Sequence, residues 1–171
     1  MIPAKAANSP QLDMLPGHAI RRLQQISVGI FHQEAQNLGV TPLQYSALQT
    51  VHSHPGIDQR TLASLIALDT STTAGLVDRL EARGLLVRNA SPTDKRVRLL
   101  SLTPDGEDLL QKVILAMKRA QELILAPLTL KQRTDFMLML NRLVSQNNAL
   151  SRAPGDTTPL ACPRWQREQS R

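Results

Sequence analysis

The feature that most restricts the fold of this chain is a pair of strand-like segments placed directly after three short helical segments. Residues 85–88 and 97–102 have the apolar character of short strands. The segment between them, residues 90–96, contains Ser, Pro, Thr and Asp, which are residues typical of turns. Three closely spaced helices followed by a hairpin predict a mainly α fold with a small β-hairpin wing, a winged helix-turn-helix.

Apolar periodicity and capping residues define the three short helices. Apolar side chains recur at three- and four-residue steps within each segment, so each helix has one face for a core. Residues that favour helix ends occur at the boundaries. The predicted helices are residues 42–53 after the cap Thr41, residues 59–68 after the cap Asp58, and residues 71–83 before Gly84.

Three longer amphipathic helices flank this trio and carry more apolar side chains than its core requires. We expect a second copy of the chain, related by a two-fold axis, to cover these apolar stripes. Packing within one chain is the alternative. The predicted regions are a flexible arm at 1–14, helical dimerisation segments at 15–40 and 104–148, a DNA-binding domain at 41–103, and a flexible tail at 149–171.

Composition limits the classes of function. Aromatic residues make up only 2% of the chain, so the core must be aliphatic, which suits helices. The net charge of +6 favours an anionic partner such as nucleic acid. The single cysteine, Cys162, excludes an intrachain disulfide. Since we find no signal peptide and no apolar run of membrane length, we expect a cytoplasmic protein without a membrane segment.

The sequence contains no pattern that indicates an enzyme. We find neither a phosphate-binding loop nor a nucleophile elbow. His52 and His54 are two residues apart, which does not place both imidazoles on one helix face. We therefore expect no catalytic residues, no metal and no cofactor. Redox sensing through Cys162 is also not expected.

The residues of the helices and the wing resemble the MarR family of bacterial regulators over about residues 15–148. The most specific part of the resemblance is the register between the third short helix, the wing and the start of the next helix. The matching segments are Thr41-Pro42-Leu43-Gln44-Tyr45 through Leu62-Ala63, Ser71-Thr72-Thr73, Leu76-Val77-Asp78-Arg79-Leu80-Glu81, Gly84-Leu85-Leu86-Val87-Arg88, Asp94-Lys95-Arg96, and Leu100-Ser101-Leu102-Thr103-Pro104-Asp105-Gly106.

This resemblance implies a homodimer, usually a repressor, that binds a pseudo-palindromic DNA operator. It also implies a small-molecule pocket between the dimerisation helices and the winged domain. Members of the family commonly respond to phenolic compounds or small aromatic carboxylates. The alternative that shares the basic hairpin is a non-specific DNA-coating protein without an effector, and competition with bulk DNA separates the two.

The third short helix is the expected reader of the DNA major groove. Its first residues, Ser71, Thr72 and Thr73, carry hydroxyls that can donate or accept, so we predict base reading. Helix capping or phosphate contact is the alternative for Ser71. Ala74 and Gly75 stand where many family members carry longer side chains. We therefore expect the wing to contribute more of the DNA recognition.

The wing and two further arginines complete the predicted DNA contacts. Arg96 is expected to enter the minor groove, with Lys95 beside it near phosphate. Asp94 is expected to pair with an arginine and fix the wing. Arg60 and Arg79 are phosphate candidates, although Arg79 could instead pair with its neighbours Asp78 or Glu81.

The predicted effector site is built from two helices. His18 and Arg22 lie at the start of the first helix, and an arginine or a histidine can hold a carboxylate. Tyr45 and His52 lie about two turns apart on the next helix, so they share a face. Ordinary surface charge and a half-buried tyrosine are the alternative interpretation for each residue taken alone.

Overall fold

The computed structural model of the chain describes residues 12–155. Six helices and three short strands follow one another in an order that matches the predicted winged helix-turn-helix. A short 3-10 turn precedes the first helix and another follows the last. The elements are α1 (Pro16–Glu34), α2 (Pro42–Ser53), β1 (Ile57–Asp58), α3 (Gln59–Leu65), α4 (Thr70–Ala82), β2 (Leu86–Ala90), β3 (Arg98–Leu102), α5 (Pro104–Leu125) and α6 (Leu130–Asn147).

Side-chain caps fix where the helices begin. Thr41 and Gln44 form a reciprocal capping box at α2, and Thr129 and Gln132 form another at α6. Asp58 caps α3 as predicted. The start of α4 differs from the expectation, because its cap is Asp69 rather than Ser71, so the helix begins one residue earlier.

The hairpin is confirmed, and a third strand joins it. β2 and β3 pair antiparallel from Leu86 opposite Leu102 to Ala90 opposite Arg98. β1 pairs with the other edge of β3, so the strand order is β1-β3-β2. The sequence did not predict β1, because its two residues directly follow a glycine turn and the second of them, Asp58, is also the cap of α3.

The apolar side chains form two clusters. The first fills the helix-turn-helix and sheet, with fully buried leucines from α2, α3, α4, both hairpin strands and α5. The second lies where the end of α1 meets the middle of α5, around Phe31 and Val113. Tyr45 and Leu109 are partly buried and pack against both clusters. The two side chains therefore join the helix-turn-helix to the long helices.

The last helix, α6, leaves most of its apolar side chains exposed within one chain. None of its residues is buried, although it carries Leu, Met, Phe and Val side chains along its length. The first half of α1 is similar, with Ile20, Leu23 and Ile26 exposed. Packing within the chain, the alternative considered above, does not cover these stripes over the described residues.

A junction between α4 and α5 explains one motif of the sequence. The Thr103 side chain accepts from the Gly106 amide at 3.0 Å and donates to the Gly84 carbonyl at 2.6 Å. The Thr103 amide donates to the Leu85 carbonyl at 3.2 Å. Gly106 lies directly against that carbonyl oxygen. The threonine and the glycine of the Leu-Thr-Pro-Asp-Gly segment thus attach the start of α5 to the end of α4.

The chain beyond α6 is held as far as Gly155. The Asn148 amide group exchanges two hydrogen bonds with the Gly155 backbone, at 2.8 and 3.0 Å. Gly155 packs against Ala67 in the turn between α3 and α4. These contacts lie in the first residues of the predicted flexible tail at 149–171, whose flexibility stays a prediction. The rest of the predicted tail, with Cys162, and residues 1–11 of the predicted arm lie outside the described residues.

No helix within residues 12–155 combines the length and the apolar character that crossing a membrane requires. The same part of the chain contains no group of three or more His, Cys, Asp or Glu side chains that could hold a metal ion.

We expect Gly106→Ala to destabilise the fold by about 3 kcal/mol, since an added Cβ overpacks a junction made of backbone. That Cβ would lie 1.9 Å from the Leu85 carbonyl oxygen. Urea unfolding followed by circular dichroism measures the difference. Gly29→Ala is the matched control, because no atom lies within 4 Å of its added Cβ. Equal midpoints for the two variants would contradict the junction.

Candidate nucleic-acid interface and effector site

The first turn of α4 presents two hydroxyls that are both bonded to one carboxylate. Asp69 Oδ1 accepts from the Thr72 amide at 2.8 Å and from Ser71 Oγ at 2.5 Å. Asp69 Oδ2 accepts from Thr72 Oγ1 at 2.6 Å. Ser71 and Thr72 are exposed, so both side chains remain accessible to a ligand that approaches this end of α4.

These hydrogen bonds hold the pKa of Asp69 well below its ordinary value, with the largest effect from Ser71 and the next from Thr72. A lowered carboxylate pKa means that the folded state binds the proton less tightly than the unfolded state does. The cap therefore contributes stability above the ordinary carboxylate pKa and loses it as the pH falls through the lowered value. At neutral pH Asp69 is ionised.

The prediction that Thr73 reads bases is wrong. Its side chain is fully buried, and its hydroxyl donates to the Asp69 carbonyl at 2.9 Å. The physical reason is the helical repeat, since Thr73 falls on the face of α4 that includes the buried Leu76, Val77 and Leu80. Ser71 and Thr72 remain as candidates.

Arg79 reaches toward the first turn of α4. Its guanidinium Nη1 lies 3.4 Å from the point where a Cβ on Gly75 would stand. Gly75 thus leaves room on the helix surface for the arginine, which is exposed. The alternative pairing of Arg79 with Asp78 or Glu81 is not what the structure shows, because Arg88 binds both of those carboxylates.

Arg88 joins the wing to α4. From β2 its guanidinium donates to Glu81 at 2.7 Å and to Asp78 at 2.5 Å. Its backbone amide also donates to Glu81 at 3.3 Å. The sequence did not reveal this role, because Arg88 appeared there only as the last residue of a segment that resembles the family. Arg83 likewise has an internal partner, since it donates to the Gly39 carbonyl at 2.8 Å.

The wing loop is shaped by its own backbone. Asp94 Oδ1 accepts from the Arg96 amide at 2.9 Å, and the Asp94 carbonyl accepts from Val97 at 2.9 Å. The amide of the buried Ser91 donates to the Val97 carbonyl at 3.0 Å. The prediction that Asp94 stabilises the wing by pairing with an arginine side chain is therefore replaced by a bond to a backbone amide. The Lys95 and Arg96 side chains are exposed.

Arg60 lies in the first turn of α3. Its amide donates to the cap Asp58 at 2.9 Å, while its side chain is exposed. The phosphate candidates in the head are the exposed side chains of Arg60, Arg79 and Lys95. The exposed Arg96 is the minor-groove candidate.

The four predicted effector residues are divided between two places within one chain. Tyr45 is half-buried beside Phe31, and burial raises the pKa of its hydroxyl. His52 Nδ1 lies 2.8 Å from Glu107 Oε2 in the first turn of α5. His18 stands thirteen residues before Phe31 on α1, which corresponds to about 20 Å along the helix axis. Arg22 lies one turn beyond His18, so both are remote from Tyr45.

The short helices, the sheet and the exposed wing together define a winged helix-turn-helix DNA-binding head. A sequence profile of the MarR family matches residues 40–97 of the chain. The HTH-type transcriptional repressor NicR of Pseudomonas putida is 31% identical over 134 residues, which are 78% of this chain and 85% of NicR. The chain therefore belongs to the MarR family.

Two solved structures have the same fold. BpsR of Bordetella bronchiseptica, studied for the regulation of its DNA binding by 6-hydroxynicotinic acid, has a TM-score of 0.75 and 26% identity, covering 80% of this chain and 97% of BpsR. The transcriptional repressor CouR, bound to a 23-mer DNA duplex, has a TM-score of 0.74 and 27% identity, covering 82% of this chain and 99% of CouR.

We expect Arg96→Ala to weaken operator binding by about 1–3 kcal/mol, because a guanidinium at the wing tip would be lost from the groove. Fluorescence anisotropy with a labelled operator measures the change. Lys112→Ala is the control, since it removes one exposed positive charge on α5, outside the head. If both variants bind as tightly as the parent, Arg96 is not part of the interface.

Proposed function

We propose that this chain is a dimeric, sequence-specific transcriptional repressor that leaves a pseudo-palindromic operator when it binds a small aromatic acid or a phenol. The observation that carries the proposal is that one head exposes both the first turn of α4 and a cationic wing whose loop is held by hydrogen bonds. Arg88 connects the two, so one head can contact the major groove and the neighbouring minor groove together.

The dimer is supported by the uncovered apolar side chains of α1 and α6. A two-fold pairing of two copies would bury them in a self-complementary interface. The proposed dimerisation region keeps the predicted bounds of residues 15–40 and 104–148. In such a dimer the two α4 helices should be about 34–36 Å apart, so that each enters the major groove one turn from the other.

The effector class is supported by two observations. BpsR, a protein of the same fold, has its DNA binding regulated by 6-hydroxynicotinic acid. In this chain Glu107 orients the His52 ring through Nδ1 at 2.8 Å, so Nε2 is the ring nitrogen that would meet an effector oxygen. Tyr45 lies about two turns before His52 on the same helix and packs against both apolar clusters. His18 and Arg22 are proposed as further contributors from α1.

Binding should weaken steeply with salt. If Arg60, Arg79 and Lys95 each contact a phosphate in both subunits, six contacts give a slope of about −5 in a plot of log K against log salt concentration. Anisotropy titrations at four salt concentrations measure this slope.

Competition with bulk genomic DNA in the same assay separates an operator-specific repressor from a non-specific DNA-coating protein, which would show no preference for the operator.

Calorimetry tests the effector with 6-hydroxynicotinic acid, benzoic acid and phenol as probes. We expect binding of at least one probe and release of the operator at the same concentration. His52→Ala should reduce the affinity for carboxylate probes about tenfold, as loss of a charge-assisted hydrogen bond implies. His54→Ala, two residues away on the same exposed helix end, is the control. Full response in His52→Ala and Arg22→Ala would exclude the proposed site.

A further inference from the structure

The hydroxyls at the start of α4 have a defined hydrogen-bond polarity. A serine or threonine hydroxyl has one proton to donate, and an ionised carboxylate can only accept. Ser71 Oγ lies 2.5 Å from Asp69 Oδ1, and Thr72 Oγ1 lies 2.6 Å from Asp69 Oδ2. Each hydroxyl therefore donates its single proton to Asp69, and only its oxygen lone pairs face outward.

This polarity decides what the two hydroxyls can bind on DNA. Phosphate oxygens are acceptors, so a hydroxyl that has already donated its proton cannot bond to them. In the major groove the donors are the amino groups of adenine N6 and cytosine N4, whereas guanine and thymine present acceptors. We propose that Asp69 makes Ser71 and Thr72 obligate acceptors, so that α4 selects adenine or cytosine on the strand that it contacts.

The inference rests on the proposed function and assigns its base preference. Asp69 acts as a positioning residue, because it touches the reading hydroxyls and not the bases. Its carboxylate is kept ionised at neutral pH by its donors and lies at the helix N-terminus, where negative charge is stabilised. Thr73 does not take part, since it is buried and its proton goes to a backbone carbonyl. The exposed acceptors are then those of Ser71 and Thr72.

Asp69→Asn should reverse the hydrogen-bond polarity of the Thr72 hydroxyl and leave that of the Ser71 hydroxyl unchanged. Its carbonyl oxygen can keep the place of Oδ1, which caps the Thr72 amide and accepts from Ser71. Its amino group then replaces Oδ2 and donates to Thr72 Oγ1. The Thr72 proton is released toward DNA, so Thr72 becomes a donor and should select guanine or thymine.

The α3 helix offers a matched control. Asp58 binds the threonine of α3 in the same way, since Oδ1 accepts from the Thr61 amide and Oδ2 accepts from Thr61 Oγ1 at 2.6 Å, while Oδ1 also accepts from the Arg60 amide. Asp58→Asn makes the same chemical change one helix earlier. It should leave the base preference of α4 unchanged.

The experiment selects bound sequences from a randomised operator library with the full-length protein. Parent, Asp69→Asn and Asp58→Asn are compared, and Ser71→Ala and Thr72→Val identify the base position that each hydroxyl reads. The parent should prefer adenine or cytosine at both positions by about five- to tenfold. Asp69→Asn should reverse the preference at the Thr72 position alone.

Two results would overturn the inference while the proposed function stands. One is a preference of the parent protein for guanine or thymine at either position, a result that does not depend on whether any variant folds. The other is an unchanged preference in Asp69→Asn that melts at the same temperature as Asp58→Asn. If the parent selects no sequence at all, the proposed sequence-specific function itself fails, and the inference falls with it.

Discussion

The contact on which the rest of this structure depends is the junction between the end of α4 and the start of α5. Thr103 caps α5 and at the same time bonds to Gly84 and, through its amide, to Leu85. Gly106 allows the two backbones to touch. The proposed recognition helix α4 and the long helix α5 are thereby held together by direct backbone and hydroxyl contacts, so we expect a movement of α5 to displace the end of α4.

The head itself is organised by two aspartates with the same role. Asp58 and Asp69 begin α3 and α4, and each holds a threonine hydroxyl at 2.6 Å. Hydrogen bonds from these neighbours lower the pKa of both carboxylates. The two negative charges lie at helix N-termini, where the helix dipoles offset them. The outward-facing positive charge of the head therefore comes from its arginines and from the wing.

Local patterns made much of this fold predictable. Caps, apolar periods and turn residues lie within a few positions of one another, so the six helices and the hairpin followed from sequence. Contacts between residues that are far apart in the sequence could not be predicted in this way. The bridge from Arg88 to Asp78 and Glu81 exists only after the wing folds back on α4, and the bond from Arg83 to Gly39 spans 44 positions. Asp69 was missed because the four residues after it all carry hydroxyls and are also good caps.

The bridge made by Arg88 has a consequence for the DNA that this protein selects. Because β2 is bonded to α4 through the guanidinium and the backbone amide of Arg88, we expect α4 and the wing to keep a fixed separation. If α4 and the wing both contact DNA as proposed, the number of base pairs between their two contact sites should be constant. Differences among natural operators should therefore collect in the spacer between half-sites, while each half-site keeps a constant internal length.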